Sequence, residues 1–246
     1  MAGAQLALPG RFHEISLATD DIGTAVEWCE RLGFSQASTT DTVTHPYGVL
    51  TDGRLFLGLH QRRDSTPILT FVRPGIAASL AQFTALGIEL TVCRTGEEVF
   101  NQIGFEDPFG QAVRVIEART FSPVARAPGE ASLCGEFAEF SMPVADFAAA
   151  QAFWEPLGFV AAGAAHARYE HLPLTSDHLD IAFHRPGTCD RPMIVFGAPD
   201  MAARIAKLRA LGVAGAAALP RGLDGRANAL LEAPGGVALL LLQDEA

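Results

Sequence analysis

Two carboxylates, Glu14 and Glu139, hold the same place in two otherwise different stretches, Phe12-His13-Glu14-Ile15-Ser16 and Phe137-Ala138-Glu139-Phe140-Ser141. Each is followed at equal distance by an aspartate (Asp21, Asp146) and then by Leu32-Gly33-Phe34 or Leu157-Gly158-Phe159. A carboxylate in an apolar setting has a raised pKa and suits proton abstraction; the same oxygens also suit a divalent metal. Other polar residues recur near these strands. His45-Pro46-Tyr47 precedes a strand in the first half, and Arg168-Tyr169-Glu170-His171 fills the matching stretch of the second. Asn101 and Gln102, with Arg226 and Asn228 further on, offer amide and guanidinium donors just ahead of a tight turn. His60 and His184 are equivalent strand ends, and the strand pattern sets them on the helix-facing side or at the rim.

The elements that must position these groups repeat too. Pro67-Ile68-Leu69-Thr70-Phe71 … Ala85-Leu86-Gly87-Ile88 aligns with Pro192-Met193-Ile194-Val195-Phe196 … Ala210-Leu211-Gly212-Val213 at the same offset of about 125 residues. Within each half, a strand, a helix and an Ala/Arg-Leu-Gly or Pro-Leu-Gly stop occur twice, giving four modules of about sixty residues. From Glu14 to Ala18 the period is two, a half-buried strand. Asp20-Asp21 then caps a helix whose stripe is Ala25, Trp28, Cys29 and Leu32, and Gly33 ends it. The third module copies this with Asp146, Ala150, Phe153, Trp154, Leu157 and Gly158. Helices are also expected at Ile76 to Leu86 and at Met201 to Leu211. The turns Asp107-Pro108-Phe109-Gly110 and Ala233-Pro234-Gly235-Gly236 introduce the closing strands, Ala112 to Glu117 and Val237 to Gln243. The order is βαβββ, four times. It divides into a domain over 1–121, a Pro/Ala/Gly linker over 122–134 and a domain over 135–246.

Composition narrows the partners. A net charge of −10 without a basic cluster argues against nucleic acid. The longest apolar run, Val237 to Leu242, is too short to span a bilayer, and Met1 to Gln5 lacks a charged leader, so a cytoplasmic protein is expected. Cys29, Cys93, Cys134 and Cys189 form no CxxC pair and signal neither a zinc knuckle nor a disulfide framework.

This arrangement resembles the vicinal oxygen chelate superfamily, which includes glyoxalase I, extradiol dioxygenases and the bleomycin- and fosfomycin-resistance proteins. The residues that carry the resemblance are Ile15 to Ile22 with Leu32-Gly33-Phe34, Phe71 with Ala85-Leu86-Gly87-Ile88, and Phe105 to Gly110 leading into a final strand. The resemblance implies an α+β fold: four βαβββ modules forming two cupped eight-stranded mixed sheets, helices outside, with the ligand inside a cup. The modules pair either within halves or swapped between them.

Metal-binding members of that superfamily place ligands on four strands. Counting back from the capping aspartates puts Glu14 and Glu139 at the first position. The fourth-strand position falls at about Leu57 and Ile181, that of the second module at Ile68 and at Met193 or Ile194, and that of the last strand at about Arg114 and Leu240. One oxygen ligand among aliphatic chains and an arginine does not make a metal site. A register slip of one residue brings in His13 and Glu117, yet Pro67, Ile68 and Leu69 still offer no donor. The expectation is therefore no metal, Glu14 and Glu139 as bases, and a ligand site drawn from Arg114, His45, Tyr47, Asn101, Arg168 and Asn228. Arg114 pairs with Glu14 if the modules pair within halves and with Glu139 if they swap. The implied protein is a small-molecule binder or a metal-independent lyase- or isomerase-like enzyme for a partly hydrophobic ligand, as monomer or homodimer. The second half, with its uniformly apolar last strand, serves as scaffold or holds a greasy ligand. The alternative is a glyoxalase-like isomerase or extradiol-type dioxygenase using a divalent metal such as Fe, Mn, Ni or Zn, with Glu14, His13 and Glu117 as ligands.

Overall fold

The computed structural model describes residues 7–38, 44–63, 67–118, 132–163, 169–213 and 218–244. The first module runs β1 (Arg11–Ala18), α1 (Ile22–Arg31), β2 (Ser35–Ala37), β3 (Tyr47–Thr51) and β4 (Phe56–His60). The second runs β5 (Ile68–Arg73), α2 (Ile76–Ala85), β6 (Leu90–Arg94), β7 (Gln102–Glu106) and β8 (Ala112–Glu117). The third comprises β9 (Glu136–Pro143), α3 (Phe147–Trp154), β10 (Val160–Ala161), β11 (His171–Thr175) and β12 (Asp180–His184). The fourth comprises β13 (Met193–Ala198), α4 (Met201–Ala210), β14 (Ala229–Glu232) and β15 (Ala238–Gln243).

The helix starts follow local chemistry. Asp21 accepts from Thr24 N at 3.2 Å, and Asp146 accepts from Ala148 N at 2.9 Å, so each carboxylate satisfies a donor that the first helical turn leaves open. Gly158 closes the corresponding stop at φ 102°, and a Cβ there would meet the Ala7 Cα at 2.9 Å, which makes glycine doubly necessary.

Modules pair within halves. The first sheet has the order β2-β3-β4-β1-β5-β8-β7-β6, with β1 parallel to β4 and antiparallel to β5; the second has β10-β11-β12-β9-β13-β15-β14. The second sheet thus holds seven strands among the described residues against the eight expected, and the fourth module lacks a counterpart of β6 there. Residues 214–217 of that module lie outside the described residues.

Alternation assigns two faces to each sheet. Ile15, Leu17, Leu57, Leu59, Leu69, Phe71, Val113 and Val115 turn toward the helices and are buried, each large aliphatic or aromatic side chain contributing about 1.5–3 kcal/mol. Their neighbours face the other way, onto the open face. The helix-bearing faces of the two halves share one continuous core, crossed by the ring pairs Phe34–Phe196 at 6.3 Å and Phe105–Phe153 at 6.4 Å. The helices therefore lie outside both cups but toward the joint between the halves.

Reciprocal contacts fasten that joint. Leu8 N donates to Leu157 O at 2.9 Å, and Leu133 N donates to Leu32 O at 2.7 Å, so the segment leading into each half's first strand bonds the end of the other half's first helix. Leu133, assigned to the linker from sequence, already belongs to the packed structure; residues 122–131 lie outside the described residues. Trp154 Nε1 also donates across the joint to Asp107 at 3.2 Å. Burial pushes the Asp107 carboxyl upward, against the bonds from Gln111 N, Phe109 N and Trp154.

Candidate active site

A bulge sets the position of Glu14. Phe12 pairs with Phe71 and Glu14 with Thr70, leaving His13 as the extra residue, so Phe12 packs on the core while Glu14 and Ser16 project from the open face. Ala138 marks the same bulge in β9, where Phe137 opposes Phe196 and Glu139 opposes Val195.

Glu14 is 3% exposed, and its carboxylate is fully engaged. Oε1 accepts from Ser16 Oγ at 2.6 Å and from His60 Nε2 at 3.3 Å; Oε2 accepts from the Tyr47 hydroxyl at 2.7 Å. Ser16 spends its single proton on Glu14, so the 2.9 Å contact between Ser16 and Thr70 has Thr70 as donor. His60 continues outward, its Nδ1 lying 2.9 Å from Nε2 of half-buried His45, and its ring stacks on Tyr47 with centroids 4.5 Å apart. Burial pushes the Glu14 pKa up. The bonds from His60, Ser16 and Tyr47 together with the charge of His13 outweigh it, and the net value lies below the ordinary carboxylate range.

Gly58 makes room for this arrangement. It faces Ser16 across β1 and β4, and a Cβ on it would lie 2.2 Å from Glu14 Oε1. The fourth-strand residues of the open face are therefore Gly58 and His60; Leu57 and Ile181, counted as that position from sequence, point into the helix-side core. His60, read as helix-facing or at the rim, is instead buried on the open face, as is His184 in its own half. Phe56-Leu57-Gly58-Leu59-His60 held the signal, since Leu57 and Leu59 mark the core parity and leave Gly58 and His60 opposite.

The second half has the same residue types differently wired. His171 stands where Tyr47 stands, opposite the strand-end histidine, and Tyr169 holds the place of His45, so the histidine and tyrosine are transposed. Ala182 replaces Gly58 opposite the serine, and its Cβ occupies the space that the Glu14 carboxylate uses. Glu139 accepts from the Tyr169 hydroxyl at 3.3 Å and lies 3.8 Å from His171 Nε2. His184 bonds Ser141 Oγ at 2.7 Å and the Cys189 carbonyl at 3.1 Å. Burial raises the Glu139 pKa, beyond what the His171 charge and the Tyr169 bond lower, and burial pulls His184 down to about 4. Where the first sheet presents Ile68, Thr70 and Arg114, the second presents Met193, Val195 and Leu240. These are buried with Tyr169 under Cys189, Leu219 and Leu223, which fill that open face with the chain's own side chains.

The remaining sequence candidates divide sharply. Arg114 is on the same open face as Glu14, beside Thr70, two strand spacings or about 10 Å away in backbone terms. The anticipated Glu14–Arg114 pair gives way to the Tyr47, His60 and Ser16 bonds. Arg114 lines a cleft of about 270 Å³ together with Arg94, Gln102, Thr91, Val92 and Ile68. Glu117 and Asn101 are elsewhere: Glu117 accepts from Gly75 N at the start of α2 and from the Asn101 amide, whose oxygen accepts from Gly96 N. Asn228 holds Gln243 N and the Asp224 carbonyl at the edge of the second sheet. Arg168 lies outside the described residues. A larger groove of about 720 Å³ runs between the end of β1 and the 234–236 turn, but it is open, and its acidic residues are spent on the α1 cap and on an exposed Asp20–Arg63 pair.

A chelated metal does not fit these residues. Among the described residues no group of three His, Cys, Asp or Glu could hold one. The strands flanking Glu14 present Gly58, Thr70 and Arg114, and Glu117 is turned to the helix side, where it caps α2. Around Glu139 the equivalents are Ala182, Val195 and Leu240. An ion at Glu14 would meet that carboxylate and one His60 nitrogen, with hydroxyls and a guanidinium beyond, and an ion at Glu139 would meet that carboxylate and His171, with hydrocarbon beyond. Neither place gathers the several His or carboxylate donors a chelated ion requires.

No family model matches the sequence, and no curated protein does either. Solved structures do. A catechol 2,3-dioxygenase superposes with a TM-score of 0.61 at 14% identity, covering 96% of this chain and 87% of its own. The homoprotocatechuate 2,3-dioxygenase of Arthrobacter globiformis gives 0.61 at 15% identity, with coverages of 94% and 79%. The Mn(II)-bound glyoxalase of Novosphingobium aromaticivorans gives 0.60 at 12%, with 94% and 80%. Identities this low speak for architecture alone, and with the two sheets, the module order and the paired halves they identify the chain as carrying the vicinal oxygen chelate fold in tandem.

Proposed function

We propose that the first half binds a small, partly hydrophobic organic molecule in the cleft beside Arg114, and that Glu14, two strands away on the same open face, serves as acid–base group for lyase- or isomerase-type chemistry without a chelated metal. The observation that carries this reading is the set of residues around Glu14. Donors from Tyr47, His60 and Ser16 take up the carboxylate, while the strands that would supply further ligands present Gly58, Thr70 and Arg114. An arginine fork suits a carboxylate, an enolate or a polarised carbonyl, and Ile68 and Val92 give the cleft an apolar wall. The filled open face of the second half supports a scaffold role there.

Elemental analysis of protein purified without chelators tests the metal-free part; stoichiometric Fe, Mn, Ni or Zn would overturn it. For the site, ligand-observed NMR with a panel of small aryl carboxylates is expected to show binding that Arg114→Met weakens by about tenfold or more. Glu14→Gln should abolish turnover of a processed ligand while leaving its affinity intact; retained turnover would remove Glu14 from the chemistry. The second reading, a metal-dependent isomerase or dioxygenase, draws on the names of the superposing structures, one of them Mn(II)-bound.

A further inference from the structure

We infer that Glu14 exchanges its proton with solvent through a two-histidine relay, His60 then His45, that the second half has lost. This rests on the reading of Glu14 as the acid–base group. A carboxylate 3% exposed that gains and loses a proton needs a path to water, and the first sheet builds one. His60 spans the gap, its two ring nitrogens engaged on opposite sides, Nε2 at 3.3 Å from Glu14 Oε1 and Nδ1 at 2.9 Å from His45 Nε2. His45, just ahead of β3, is half-buried and reaches the surface.

The tautomers follow from the partners. An ionised Glu14 is acceptor only, so His60 Nε2 carries the hydrogen; His60 Nδ1 then accepts, and His45 Nε2 donates. A proton arriving on His45 Nδ1 sends the Nε2 proton of His45 to His60 Nδ1, and the Nε2 proton of His60 to Glu14 Oε1. One proton enters, one reaches the carboxylate, and each imidazole ends as its other tautomer. Release from Glu14 runs the path backward and restores both. The other groups facing this chain are His13 from the β1 bulge, Tyr47 from β3 and Ser16 from β1. Ser16 and Tyr47 pin the carboxylate so that Oε1 stays toward His60.

The second half is a built-in control. With tyrosine at the place of His45 and Ala182 at that of Gly58, His184 donates from Nε2 to the Cys189 carbonyl and accepts at Nδ1 from Ser141. A backbone carbonyl cannot carry a proton onward, so that chain of bonds ends inside the protein.

The exchange measurement that decides the relay needs no ligand; only the separate turnover assay of Glu14→Gln does. In the full-length protein with ¹⁵N-labelled histidines, solvent exchange of the His60 Nε2 proton is measured in wild type, His45→Phe and His45→Gln. Glutamine can still donate toward His60 but cannot pass a proton through. Exchange is expected to slow by about tenfold or more in both variants, with the His184 Nε2 proton unaffected. Equal His60 exchange in wild type and in either folded variant would overturn the relay. Slowed exchange with a fully active Glu14→Gln would leave the relay standing and remove Glu14 as base. Unchanged exchange with an inactive Glu14→Gln would do the reverse.

Discussion

Glu14 and Glu139 share a place in the repeat but not a protonation balance, and the difference is measurable. The folded pKa of Glu14 is depressed, so its contribution to stability is present above the unfolded carboxylate value near 4.5 and is lost as pH falls through the folded value. Glu139 is raised, so it burdens the fold above its unfolded pKa, increasingly until the folded value is passed, and costs nothing in acid where both states are protonated. Denaturant titrations from pH 3 to 8 should show Glu14→Gln destabilising by about 1–3 kcal/mol at neutral pH, shrinking toward acid. Glu139→Gln should be neutral or stabilising at neutral pH and indistinguishable from wild type at low pH. Identical pH profiles for the two variants would contradict the two environments described above. The twin glutamates were legible from the repeat; their opposite surroundings were not. Those depend on a transposed histidine and tyrosine and on a glycine against an alanine, differences of side-chain wiring that periodicity does not register.

At the level of strands, the decisive position is Gly58 on β4. An alanine there would drive its Cβ into the Glu14 carboxylate, which can swing away, at the cost of its bonds to Tyr47, His60 and Ser16. Gly58→Ala should therefore cost about 1–3 kcal/mol in the wild-type background and much less in Glu14→Ala, which removes the atoms the new Cβ would meet, a coupling that a double-mutant cycle reads directly. Additive effects would mean that the glycine serves the backbone instead. The strands and helices themselves were readable because alternation and capping are local. Asp21 and Asp146 placed the starts of α1 and α3, the Leu-Gly stop placed the end of α1 within a residue, and Ile76 and Met201 open α2 and α4 as expected. By contrast, α3 ends at Trp154, and a 3-10 turn over Glu155–Leu157 fills the distance to Gly158. What failed was parity on β4 and β12. Counting from a distant aspartate to β4 or β12 crosses a helix and several turns, each able to shift the register by one and so exchange the faces. Glu117 and Asn101 failed for a related reason: they lie at strand ends, where side chains are drawn off to cap α2 and to close a loop.

Across the whole molecule, the continuous helix-side core argues that the halves fold together. Phe34 meets Phe196, Phe105 meets Phe153, and each half's first helix ends on a backbone bond from the other. Thermal unfolding is expected to be a single transition, and a chain truncated after residue 118 should fail to give a soluble monomer by size-exclusion chromatography, because it would expose that face to water. A stable, monomeric first half would refute the shared core. Trp154→Phe, which removes the donor to buried Asp107, should lower stability by about 1–3 kcal/mol without altering the His60–Glu14 bonds.

The reciprocal grip of the two halves has a further consequence. Two identical subunits joined this way would carry every substitution twice, and a change that packs one cavity shut would shut both. Placed on a single polypeptide, the copies are free to diverge: leucines close over Tyr169 and Leu240 in one, while Glu14 keeps its histidines in the other. Covalent continuity turns a symmetric pair into an asymmetric one, one copy with its open face filled and the other with a buried carboxylate held by histidine, serine and tyrosine.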